Sequence, residues 1–130
     1  AHAAGARLIV APNCDVDVIT CALQLDMRVL PGIATATEAF TAIRAGTQQL
    51  KLFPAVTYGP QHLKALRAVI PPTTQIFPVG GIGASEVSAW LEAGAAGFGF
   101  GSELFRPEYT LDDIATRARR LVAALQSTRR

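Results

Sequence analysis

The sequence predicts an α/β fold in which parallel strands alternate with helices, arranged as an incomplete (β/α)8 barrel that supplies its last five units, strands 4–8. Three observations predict it. Five apolar runs (Leu8–Pro12, Arg28–Pro31, Leu50–Pro54, Gln75–Val79 and Gly97–Phe100) start about 20 to 25 residues apart, the length of a strand plus a crossover helix. One helix ending recurs as Ala4-Gly5, Ala45-Gly46 and Ala93-Gly94, each followed within a few residues by an apolar run. The last two runs open into glycine-rich loops.

Each element carries its own signal. Residues 1–6 read as the last turn of a helix closed by Gly5, because glycine past a helix end accepts the left-handed conformation. Thr35-x-x-Glu38 is a capping box opening the second helix. Pro60 sits at a first helical turn, ahead of Leu63, Leu66, Val69 and Ile70 on one face. Ser85 is placed to cap the helix that ends near Gly94, and Thr110 to cap a final helix with Ile114, Ala118, Leu121, Val122 and Leu125 on its apolar face. Arg117, Arg119, Arg120, Arg129 and Arg130 read as a solvated helix end that complements the dipole.

An open doubly wound sheet and part of a barrel both fit this alternation. Uniform unit length, strands ending in Pro or Gly, and glycine loops where barrels hold phosphate favour the barrel. A free five-stranded sheet also has raw edges on both sides. A whole barrel needs at least ~200 residues, so residues 1–130 are expected to form the C-terminal portion of one barrel domain, with the first three units absent. The single methionine, Met27, supports the expectation of a piece of a longer protein.

Composition bounds the function classes. With 50% hydrophobic and 17% charged residues in 130, the chain has a core and the size of one domain. A net charge of +2 argues against nucleic acid or lipid as a partner. No apolar run approaches the ~18 residues of a membrane span. Cys14 and Cys21 form no Cys-x-x-Cys motif, so reduced thiols and a cytoplasmic location are expected.

Lys51 is the most informative residue. It stands inside Leu50-Lys51-Leu52-Phe53, a strand that a parallel sheet buries on both faces. Alternation puts Lys51 and Phe53 on one face. In a barrel one face is the lumen, and an inward Lys51 would point its amine toward the C-terminal mouth, where desolvation lowers the pKa and makes it a nucleophile toward a ketone. A snorkelling lysine, or one paired with a carboxylate, fits the position equally. Val79-Gly80-Gly81-Ile82-Gly83-Ala84-Ser85 and Gly97-Phe98-Gly99-Phe100-Gly101-Ser102 suggest a phosphate cradle without a metal, since glycines let backbone amides approach an anion. The first string lacks the acid that a dinucleotide fingerprint requires. His2 and His62 have no partners at metal-ligand spacing and read as surface residues. No carboxylate lies inside an apolar strand, so no general base is evident in the chain.

Lys51-Leu52-Phe53-Pro54, Val79-Gly80-Gly81-Ile82 and Gly101-Ser102 resemble the KDPG/KHG class I aldolases, which act on 2-keto-3-deoxy-6-phospho sugar acids. The likeness extends over 8–13, 31–40 and 59–66 and covers essentially the whole chain. Ala34-Thr35-Ala36-Thr37-Glu38-Ala39-Phe40, Gly59-Pro60-Gln61 and Val79 look more like the galactonate branch (KDPGal) than the gluconate branch, in which threonine usually precedes the glycine pair. The resemblance implies cofactor-free cleavage of 2-dehydro-3-deoxy-6-phosphogalactonate to pyruvate and D-glyceraldehyde 3-phosphate. Lys51 is then the Schiff-base lysine; Gly80, Gly81, Gly101 and Ser102 hold the phosphate; Pro12, Phe53 and Val79 line the pocket. It also implies a homotrimer, and a general acid/base glutamate on the second of the three absent strands, so the chain alone is expected to be inactive. A gluconate-type aldolase and a non-catalytic phosphate-binding fragment are the competing readings.

Overall fold

The computed structural model describes residues 1–128; Arg129 and Arg130 of the basic C-terminus lie outside the described residues. Strands β1 (Leu8–Val10), β2 (Arg28–Leu30), β3 (Gly32–Ile33), β4 (Gln49–Leu52) and β5 (Gln75–Pro78) alternate with helices α1 (Val16–Gln24), α2 (Ala36–Arg44), α3 (Ala55–Arg67), α4 (Val87–Glu92) and α5 (Leu111–Thr128). Every strand pairing is parallel and follows chain order: β1 with β2, β3 with β4, β4 with β5. Two predicted strands differ from expectation. Pro31 divides the second run, because it has no N–H to donate. Before it the run pairs with β1; from it onward the run pairs with β4, whose Lys51 N–H donates to the Pro31 carbonyl at 2.9 Å.

The fifth run, Gly97–Phe100, is not a strand but a single parallel bridge, Val79 to Gly99. The Ala96 and Gly99 N–H groups bond the Ile76 and Pro78 carbonyls at 2.9 and 3.2 Å. The segment thus lies against β5 along one edge only, and its alternating glycines bring no side chains to hold a regular ladder.

Local signals decide most helix ends. Gly5, Gly46 and Gly94 take φ values of 91°, 109° and 97°, the left-handed ending that the recurrent Ala-Gly pairs predict. Thr35 and Glu38 form the capping box. Thr110 and Asp113 form an equivalent pair, with Thr110 Oγ1 accepting from the Asp113 N–H at 3.1 Å and the Asp113 carboxylate accepting from Thr110 N–H at 3.0 Å. Gly59, at φ 74° and ψ 168°, breaks α3 so that its main part restarts at Pro60. Ser85 does not cap α4. It lies inside a 3-10 turn, Ala84–Glu86, whose Glu86 carboxylate accepts from the Gly83 N–H at 2.8 Å; the longer acidic side chain reaches back where serine does not.

The core lies between the sheet and the helices. Val29, Ile33, Leu50, Leu52 and Ile76 point to one face and pack with Ile19 and Ala22 of α1, Ala39 and Ala42 of α2, Leu63 and Leu66 of α3 and Trp90 of α4. The opposite face of the sheet is open at one side, where Leu8 and Val10 remain 49% and 52% exposed. Among the described residues of α5 Leu121 alone is buried; Val122, expected on the apolar face, is half-exposed. Among the described residues no helix is long and apolar enough to cross a membrane.

Candidate active site

Six of the eight residues singled out in the sequence lie on or just past the C-terminal ends of parallel strands, and Gly101 and Ser102 follow the Val79–Gly99 bridge at the same edge, the one at which such sheets bind ligands. Lys51 is the centre. Its strand is pinned on both sides, to β3 in register Gly32–Lys51 and to β5 in register Lys51–Phe77. Leu50 and Leu52 are buried toward the helices, so alternation sends Lys51 and Phe53 to the other face.

Lys51 is 8% exposed, and its ammonium lies 4.2 Å from the Phe53 ring centroid. Among the described residues it has no ion-pair partner. Burial holds its pKa below the ordinary lysine value, because the charged form loses hydration and gains no counterion. Paired residues of a parallel sheet point the same way, so Phe77 flanks Lys51 on one side. On the other side is Gly32. A Cβ there would run into the Pro12 carbonyl; the Pro12 turn therefore folds over Gly32 beside Lys51.

The first glycine loop is built onto the same strand end. Ala55 and Val56 N–H groups donate to the Val79 and Gly80 carbonyls at 2.8 and 3.0 Å. Gly80 packs edge-on to the Phe53 ring, and a Cβ on Gly81 would lie 2.7 Å from the Val56 Cβ. Gly80 and Gly81 have φ of 100° and 73°, conformations that favour glycine. The second loop follows the Val79–Gly99 bridge, so Gly101 and Ser102 emerge next to Gly80 and Gly81. None of the N–H groups of Gly80, Gly81, Gly101 and Ser102 has an acceptor among the described residues. Four free donors in two adjacent loops match the chemistry of an anion.

Gly32 and Phe77 were absent from the residues expected around the lysine. Phe77 was within reach of periodicity, two residues before Val79 on the same face. Gly32 needed the register.

A second cluster sits past β3. The Glu38 carboxylate accepts from Ala34 N–H at 2.8 Å, Thr35 N–H at 2.9 Å and Thr35 Oγ1 at 3.0 Å. The Ala34 bond is the main reason its pKa lies below the ordinary carboxylate value. His62 is not a free surface residue: its Nε2 bonds the Ala34 carbonyl at 2.6 Å, and its ring lies 4.9 Å from that of Tyr58. Cys14 donates its thiol to the Glu38 carbonyl at 3.5 Å, and burial, then Glu38 and Asp15, push its pKa up. Cys14 and Cys21 are both free. These contacts explain each side chain structurally. Among the described residues, no three His, Cys, Asp or Glu groups cluster at metal-binding distance.

Comparison with known proteins supplies a family. The chain is 47% identical over 120 residues to the 2-dehydro-3-deoxy-6-phosphogalactonate aldolase of Escherichia coli (strain K12), a carbon–carbon lyase, covering 92% of this chain and 58% of that protein. It superposes on a native KDPGal structure with a TM-score of 0.93 at 45% identity, covering 95% of this chain and 60% of the other. It superposes likewise on a cube-shaped, highly porous protein cage designed by fusing symmetric oligomeric domains, with a TM-score of 0.96 at 44% identity, covering 98% of this chain and 47% of the other. The chain thus spans under two thirds of the length of these relatives. The KDPG and KHG aldolase profile matches residues 1–117, and on that match and this likeness the chain belongs to the KDPG and KHG aldolase family.

Proposed function

We propose that Lys51 is the Schiff-base lysine of a class I aldolase that cleaves 2-dehydro-3-deoxy-6-phosphogalactonate to pyruvate and D-glyceraldehyde 3-phosphate. The observation that carries this reading is a buried lysine without a counterion at a strand end, beside two loops with free amides. The Lys51 amine attacks the C2 carbonyl carbon, and water leaves to give a protonated imine. The C3–C4 bond breaks, and its electron pair moves into the imine to form an enamine. The C4 hydroxyl gives up its proton to a base, leaving the aldehyde. Protonation of C3 and hydrolysis then release pyruvate and the free amine. Low exposure keeps more of that amine uncharged at neutral pH.

Gly80, Gly81, Gly101 and Ser102 bind the 6-phosphate through their N–H groups, while Pro12, Phe53 and Val79 shape the pocket. No metal or cofactor takes part in these steps. The base and the groups that hold the substrate carboxylate come from outside these residues. We take residues 1–130 as five of eight units of a (β/α)8 barrel, its C-terminal portion. Parallel pairings that follow chain order within each sheet, β1-β2 and β3-β4-β5, with helices packed on one face support this, because a doubly wound sheet reverses order and carries helices on both faces. The half-exposed Leu8 and Val10 are then lumen residues. A homotrimer in the cytoplasm is the expected setting, and similarity to a cage built from symmetric oligomeric domains supports the assembly.

Incubating the full-length polypeptide with pyruvate and borohydride tests the chemistry. An irreversible adduct on the Lys51 peptide, absent from Lys51→Arg, is expected. A clean Lys51 peptide rejects the reading.

A further inference from the structure

We infer that Tyr109, whose ring contacts the guanidinium groups of Arg106 and Arg117, is a positioning residue that sets the Gly101-Ser102 loop for the substrate phosphate; this rests on the function proposed above. Gly101 has nothing within 4 Å of its Cβ position, and Ser102 is exposed, so packing does not hold this loop. Hydrogen bonds do. The Gly101 carbonyl accepts from the Leu104 and Phe105 N–H groups, both at 2.9 Å. The Ser102 carbonyl accepts from Arg106 Nε at 3.3 Å and from the Tyr109 hydroxyl at 3.5 Å. The Glu103 carbonyl accepts from Arg117 Nη1 at 3.2 Å.

A carbonyl and the next N–H share one planar unit and point in opposite directions. Holding the carbonyls of Gly101 and Ser102 from behind therefore aims the N–H groups of Ser102 and Glu103 away from the clamp. Neither N–H has an acceptor among the described residues.

Tyr109 ties this clamp to a rigid support. The Arg117 guanidinium carbon lies 4.0 Å from the Tyr109 ring centroid, and that of Arg106 lies 5.8 Å away. Arg117 belongs to α5, whereas Arg106 belongs to the loop and pairs weakly with Glu108 at 3.9 Å. The Tyr109 N–H also bonds the Arg106 carbonyl at 3.0 Å. Remove the ring and the loop loses the stack that fastens it to the helix, while the Lys51 strand, separately anchored, keeps its place.

The test compares acceptors in the aldol direction, using full-length polypeptide with pyruvate and either glyceraldehyde 3-phosphate or unphosphorylated glyceraldehyde. Tyr109→Ala is expected to lower the ratio of kcat/KM values, phosphorylated over unphosphorylated, by roughly tenfold, carried by KM for the phosphorylated aldehyde rather than by kcat. Tyr109→Phe keeps the ring beside the two cations and is expected to hold the ratio within about threefold. If Tyr109→Ala does not fold, Arg117→Met reads the same ratio with the same expected fall. An unchanged ratio in folded Tyr109→Ala, when the wild type traps pyruvate on Lys51, overturns the inference and leaves the aldolase reading standing. Absence of trapping in the wild type overturns both.

Discussion

The Lys51 ammonium lies 4.2 Å from the centroid of the Phe53 ring, two residues along the chain and just past the end of β4. The ring does two opposing things. Its π face favours the ammonium, by about 0.5–1 kcal/mol at such sites, and its bulk removes water that the ammonium needs. Burial lowers the Lys51 pKa. The same ring packs against Gly80, so one aromatic side chain joins the Lys51 amine to the first glycine loop.

Replacing Lys51 with Met should therefore stabilise the protein at neutral pH. The substitution removes a poorly solvated charge and buries an apolar chain of similar length, a gain of about 1 kcal/mol. Because the folded-state amine releases its proton at a lower pH than the unfolded one, the unfolded chain binds more protons across that interval. Wild-type stability then rises with pH toward the ordinary lysine value of 10.5. Urea midpoints should show Lys51→Met ahead at pH 7, with the gap closing near pH 10. A gap that widens with pH contradicts the account.

Glu38→Gln should cost about 1–2 kcal/mol at pH 7, since the carboxylate serves two N–H groups and a hydroxyl at the start of α2. Its pKa is depressed in the folded state, so its contribution is full above the ordinary value of 4.5 and fades as pH falls through the lowered one. Urea titrations of wild type and variant should separate at pH 7 and converge near pH 3. Equal separation at both would mean that charge is irrelevant to the cap.

How far the site was legible depends on the range of each interaction. Thr35 with Glu38 and Thr110 with Asp113 are three residues apart, so the first was plain in the sequence and the cap at Thr110 was placed by its hydroxyl alone. The glycine endings are local too. Lys51 could be found because a charge inside a buried strand is itself the signal. Apart from the Ser85 cap, replaced by the neighbouring Glu86, what failed was non-local. Gly97–Phe100 has strand composition, yet it meets the end of β5 at the single Val79–Gly99 bridge, and its alternating glycines add no side chains to extend the pairing. Pro31 looked like a strand terminus, although it is where one run passes from β1 to β4. Arg117 read as a solvated charge at a helix end, and only folding brings it to the Tyr109 ring and the Glu103 carbonyl.

Gly81→Ala tests the contact that seats the first loop on α3. A Cβ would lie 2.7 Å from the Val56 Cβ, and the φ of 73° disfavours any side chain. The expected loss is about 2–3 kcal/mol by thermal or urea unfolding, from steric conflict and a left-handed alanine together. Val56→Ala removes the two branches, at 3.0 and 3.2 Å, but keeps the Cβ, so the double variant should recover part of the loss and retain the Cβ contact together with about 1 kcal/mol from the backbone. Strict additivity of the two losses would show that the side chains do not collide.

Val79→Thr addresses the choice between galactonate- and gluconate-type substrates, epimers at C4. Val79 is half-buried and lies against Gly99, where a Cβ would come within 2.6 Å of its Cγ2. The glycine leaves room for the branched side chain and fixes which way it stands. Threonine has the same shape, so the fold should tolerate it at a cost of about 1 kcal/mol for burying a hydroxyl. What changes is polarity at one wall of the pocket, two residues before Gly81 and three beyond Ile76. A hydroxyl there can hydrogen-bond a substrate hydroxyl of matching configuration, and a site that makes such a bond discriminates against the epimer that leaves it unmade. Cleavage rates of full-length wild type and Val79→Thr on the two epimers should therefore differ in ratio by roughly tenfold, shifted toward the gluconate epimer. If both rates fall together, Val79 acts through packing against Gly99 alone and the choice of epimer lies with other residues.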